Sequence, residues 1–186
     1  MDATSHSITL ISIIVGLGLT ELLLNLHRLI HARRDVRWDL LPLVWTATVL
    51  LVLLNYWWAL ALRRDGSELA HTAGAYGLLL VHPLLLFLLC ASVLPRQGAE
   101  GGLDMRRSYE SDRRAFVAVF VLYMLANWIL AVTTGTPLWS SVTLMRAIAS
   151  LLLASLLVVN ARRWDWAVAI TVTAAALARM ATQAVR

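Results

Sequence analysis

Glu21, Asn25 and Arg28 follow one another at spacings of four and three residues inside an otherwise apolar stretch. At about 100° per residue a helix gathers them, with Gly18, into an arc of about 80° that should face the inside of a bundle. At these spacings a carboxylate and an amide can bond each other, and the guanidinium can reach the membrane surface. In hydrocarbon a carboxylate is costly, so its presence points to an ion or proton path. His82 and Arg146 interrupt two further apolar runs, and Asn55 and Asn127 two more. Together these form an expected midplane cluster. Glu21 would titrate or coordinate an ion, and Arg146 would be its counter-charge. Asn25, Asn55 and Asn127 would line the site, and His82 could pass a proton. The same residues have a structural use. A Glu21–Arg146 pair would offset a penalty of at least ~2.5 kcal/mol per charge and fix helix register. Asn55 and Asn127 would then be hydrogen-bonded glue between helices.

The other histidines suit different chemistry. His27 and His31 stand at i, i+4, a spacing that can chelate a metal from one helix face, but no third ligand is evident. His6 and His71 lie near matching ends of two runs and could supply an axial pair to a haem. His82, the one mid-run histidine, is a further haem candidate. Nothing in the sequence demands a cofactor. The phosphate-cradling GxxxxGK[ST], the zinc-binding HExxH, the serine elbow GxSxG and the dinucleotide signature GxGxxG are all absent, so the chain does not read as an enzyme.

The elements that must carry these groups are long apolar runs. Of 186 residues, 60% are hydrophobic, and mean hydropathy is +0.73, well above the roughly 45–50% apolar content of soluble domains. Six runs are long enough to span a bilayer as helices, at about 7–30, 40–62, 72–94, 113–133, 138–160 and 166–183. They use nearly the whole chain, so the expected fold class is an all-α membrane bundle in one six-helix domain. Only Asp2 is charged before the first run, and Glu21 and Asn25 interrupt it, which makes a poor signal peptide and a retained first helix. Pro42 falls in the first turn of its run, where no helical bond is lost; Pro83 falls mid-run and should kink its helix. Residues 95–112 read as a surface loop followed by a short helical turn, and Arg162-Arg163-Trp164-Asp165 as a tight basic turn.

All sixteen basic residues are arginine. With the N-terminus outside, eleven fall in the cytoplasmic connections and four outside, a bias that places both termini outside. Tryptophans near the run ends, Trp38, Trp57, Trp58, Trp139, Trp164 and Trp166, suit the interfaces. The +5 net charge therefore serves topology, not nucleic-acid binding. Cys90 is the only cysteine, which excludes an intrachain disulfide. Small residues on runs three, five and six allow close helix packing, within one bundle or between copies. The expected setting is the bacterial inner membrane, with the lipid bilayer as surroundings and a homo-oligomer or a membrane complex as partner. Three functions follow in order: a small transporter or channel for protons, ions or a small solute; a non-transporting accessory or assembly subunit; a membrane haem protein.

Overall fold

The computed structural model describes residues 3–62, 73–95, 103–133 and 141–184. The helices among them are α1 (Ala3–His31), α2 (Leu40–Leu62), α3 (Ala73–Ser92), α4 (Met105–Thr133), α5 (Ser141–Val158) and α6 (Arg162–Ala184). Two short strands, β1 (Val36–Arg37) and β2 (Leu103–Asp104), pair in parallel, Val36 with Leu103 and Arg37 with Asp104. They tie the α1–α2 connection to the start of α4.

Side-chain caps set two of the helix starts. Asp39 Oδ1 accepts from Leu41 N at 3.3 Å, and Pro42 sits in the first turn of α2. Asp104 Oδ1 accepts from Arg106 N at 3.0 Å and Arg107 N at 3.1 Å, a double N-cap on α4. Most of the expected loop, residues 96–102, lies outside the described residues; the helical turn expected after it is not separate from the fourth span, because residues 105–112 are the opening turns of a 29-residue helix. The basic turn at Arg162–Asp165 is likewise the first turn of α6. The chain reverses within 159–161, and the amides of Trp164 (2.9 Å) and Asp165 (3.1 Å) both donate to Ala161 O. Asp165 is the acidic residue of that first turn, where the helix dipole favours it. The α3 helix continues through Pro83.

The helices form a ring in the order α1, α3, α4, α5, α6, α2, with α2 also touching α3 and α4. The C-terminal ends of α1 and α5 and the N-terminal ends of α2, α4 and α6 meet at one end, through the strand pair and an Asp39–Arg162 bridge. This is the arginine-rich end. Gly18 of α1 faces α3: a Cβ there would lie at ordinary contact distance, 3.5 Å from Phe87 Cα and 3.6 Å from Cys90 Sγ. The buried core is continuous. Trp45 packs edge-on against Phe116 (5.4 Å) and Phe120 (5.9 Å) and donates from Nε1 to Tyr109 Oη at 3.1 Å.

Among the described residues, three helices are long and apolar enough to cross a membrane: Ile8–His31, Leu40–Leu60 and Met105–Val132. Leu80–Ser92 and Thr143–Val158 are shorter apolar stretches. Many large apolar side chains, among them Leu17, Leu122, Val132 and Leu151, face outward. A surface this apolar needs cover, and with the three long helices it points to membrane association.

Candidate functional site

The ladder on α1 forms. Asn25 donates to Glu21 Oε1 at 3.1 Å, and Arg28 Nη1 donates to Asn25 Oδ1 at 3.4 Å. Asn25 is buried, Glu21 half-buried and Arg28 exposed. The ladder therefore runs from the core edge to the surface at the basic end. The expected Glu21–Arg146 pair does not form. In the ring, α1 and α5 lie on opposite sides and are not packing neighbours.

Arg146 belongs to a different seam. Its guanidinium carbon lies 6.0 Å from the Trp128 ring centroid, within cation–π range. Trp128 Nε1 donates to Ser150 Oγ at 3.2 Å, and that hydroxyl donates to Arg146 O at 2.8 Å. This joins α4 to α5. Asn55 joins α2 to α6, donating to Leu51 O at 2.9 Å and Ala176 O at 3.3 Å. One turn and more away, Thr48 and Thr173 share a 2.6 Å hydrogen bond across the same seam. Asn127 donates to Tyr123 O of its own helix at 3.1 Å.

His82 is buried in an aromatic clamp. The Tyr56 ring lies parallel to it at 6.4 Å and 7°, and the Tyr123 ring meets it edge-on at 5.7 Å and 71°. The two tyrosines come from α2 and α4, so the imidazole sits where α2, α3 and α4 converge. Neither tyrosine stood out in the sequence, because a lone tyrosine in an apolar run reads as packing. The six residues of the expected cluster thus divide among the α1 ladder, the α2–α6 and α4–α5 seams, the α4 backbone and the tyrosine clamp.

His27 and His31 stack with ring centroids 6.2 Å apart. With Arg28 and Ala32 they line an open concavity of about 320 Å³. Among the described residues no group of three potential metal ligands comes together. His71 lies outside the described residues, so the haem pairing of His6 with His71 does as well; His6 is on the first turns of α1.

Sequence reasoning missed the most strongly bound charges. Arg113 donates from Nε to Asp165 Oδ2 at 2.9 Å and from Nη2 to Asp165 Oδ1 at 2.7 Å. It also donates from Nη1 to Asn160 Oδ1 and from Nη2 to Val159 O, both at 2.7 Å. Both side chains of the ion pair are buried. A second group is more open: Arg162 bridges to Asp39 and, at 3.8 Å, to Glu110, which Arg106 holds at 2.9 Å. In the sequence these residues stand at span ends and read as topological charges only. The available signal was opposite signs at the ends of adjacent spans. Beside Arg113, a cavity of about 10 Å³ lies among Pro42, Ser92, Tyr109, Asp112 and Phe116, room for about one water.

This basic-end network ties α2, α4 and α6 and the α5–α6 reversal together. Its chemistry is that of a clasp, with every partner a charge or amide of the chain itself. No protein-family model, curated protein or solved structure matches this chain.

Proposed function

We propose that all six helices cross the bilayer of a bacterial inner membrane, with the arginine-rich end in the cytoplasm and both termini outside. We further propose that the bundle is a non-transporting accessory or assembly subunit of a membrane complex. The observation that supports this role is how interior polar groups are used. Asn55 and Thr48 bind α6, Trp128 binds α5, Trp45 binds Tyr109, and Arg113 binds Asp165. Polar groups bonded from helix to helix act as glue, whereas a path for ions lines its polar groups along a shared lumen. The orientation rests on the arginine bias toward the end where α1, α2, α4, α5 and α6 meet.

A second reading, proton transport, has one observation in its favour: the buried imidazole of His82 between the Tyr56 and Tyr123 rings. Reconstitution separates the two. The protein is placed in proteoliposomes loaded with a pH-sensitive dye, and gently purified membranes are examined for a stoichiometric partner. A partner retained at fixed ratio, with no proton flux above empty vesicles, supports the assembly role. A flux that Glu21→Gln or His82→Phe abolishes overturns it. Orientation is tested separately in a Cys90→Ala background. A membrane-impermeant maleimide applied to intact cells should label Ser5→Cys and spare Arg34→Cys; the reverse pattern overturns the assignment.

A further inference from the structure

The α1 surface above the basic end combines a cationic concavity with an apolar stripe. Ile13, Leu17 and Leu24 are exposed, and at about 100° per residue they fall with His31 in an arc of about 40°. Thr20, beside the stripe, turns its hydroxyl to Gly16 O at 2.8 Å, and the half-buried Glu21 carboxylate on its other side accepts from Asn25. From Ile13 to Leu24 the rise is about 16 Å, close to the roughly 15 Å of one hydrocarbon leaflet. Directly below it, His27, Arg28 and His31 are exposed and surround the concavity of about 320 Å³. Arg33, Arg34 and Trp38 are also exposed just beyond it. Arginine and tryptophan together at this level mark the headgroup region.

We infer that this face of α1 is a binding site for an anionic glycerophospholipid. Its phosphodiester would lie among His27, Arg28 and His31, and one acyl chain would lie along Leu24, Leu17 and Ile13. The donors of the site suit a phosphate. An arginine fork bonds phosphate oxygens in pairs. The two imidazoles stack at 6.2 Å, close enough for both to reach one phosphate. Nearby Arg33 and Arg34 add attraction for an anionic headgroup over a zwitterionic one. The metal alternative for the histidine pair needs a third ligand, and among the described residues none joins it. The site depends on α1 lying in the bilayer; it does not depend on whether the protein transports or assembles.

The test is native mass spectrometry of protein released from nanodiscs made of equal parts dioleoyl-phosphatidylglycerol and dioleoyl-phosphatidylcholine. The acyl chains are identical, so a difference in retained lipid reads the headgroup alone. The wild type is expected to retain the glycerol lipid over the choline lipid by roughly tenfold, the size of one charge-assisted bond. The variant H27Q/R28Q/H31Q should bring that ratio close to unity. Arg163→Gln, which removes an exposed charge at the same end, should leave it unchanged. Arg28→Lys keeps the charge but loses the fork, and should fall between. Because these side chains are exposed, insertion into nanodiscs should persist in all variants and is scored on the same samples. A preference that survives the triple variant overturns the site. So does a preference that Arg163→Gln lowers equally, which would mark general basicity. Failure of the wild type to enter nanodiscs would instead count against the membrane reading.

Discussion

Arg113 and Asp165 stand 52 residues apart and meet through two parallel hydrogen bonds of 2.9 and 2.7 Å, both side chains buried. The pair ties the start of α4 to the start of α6, and the remaining Arg113 donors hold the α5–α6 reversal. Removing one partner of such a pair leaves an uncompensated buried charge, which typically costs about 3–5 kcal/mol. Arg113→Gln and Asp165→Asn are each expected to lower the thermal unfolding midpoint in detergent sharply. The double variant should lose clearly less than the two single losses combined. Additive losses would show that the two residues are not coupled.

Gly18 faces the backbone of α3 at ordinary contact distance. Gly18→Ala places a methyl 3.5 Å from Phe87 Cα and should leave stability within about 1 kcal/mol. Gly18→Leu must force α1 away from α3, and overpacking of this kind costs about 1–3 kcal/mol. Unfolding of the two variants side by side checks this. Equal stability would mean that α1 is not held against α3 at this point.

The α2–α6 seam gives a graded expectation. Asn55→Ala removes the bond to Ala176 O, and Thr48→Val removes the bond to Thr173. Interhelical bonds in membranes average about 0.6 kcal/mol by double-mutant cycles, so each change should be small and destabilising. Thermal unfolding of the single and double variants measures it. A loss of several kcal/mol from Asn55→Ala alone would show a role beyond this seam.

His82 lies between two rings, so its size and flat shape should matter to packing. His82→Phe is expected to preserve stability, because an aromatic ring of similar size can keep both contacts. His82→Ala leaves a cavity beside Tyr56 and Tyr123 and should cost on the order of 3 kcal/mol. If His82→Phe unfolds the protein as fully as His82→Ala, the imidazole nitrogens carry the stability.

The Asp104 cap can be isolated from packing. Asp104→Ala leaves Arg106 N and Arg107 N without their acceptor and should cost about 1 kcal/mol. Hydrogen exchange should then rise at the first turn of α4 and remain unchanged in its later turns. Unchanged exchange at 105–108 would show that the strand pairing, not the cap, sets the start of this helix.

The sequence by itself determined what depends on near neighbours. Apolar runs and their charged ends located the helices, and α2 begins at Leu40, where the second run was expected to start. The Glu21–Asn25–Arg28 ladder was legible because i, i+3 and i, i+4 contacts follow from helix geometry alone. Helix ends were less legible. The apolar signal stops near Arg113, while the capped backbone of α4 continues back to Met105. Only the tertiary structure decided which helices are adjacent. Depth along a helix can be counted from sequence, so Glu21 and Arg146 came out at similar levels. The ring order, set by how the helix faces pack, put them on opposite sides of the bundle. The same order brought Arg113 to Asp165 and closed Tyr56 and Tyr123 around His82. Spacing along the chain carries no term for contacts between helices, and there the interior polar groups find their partners.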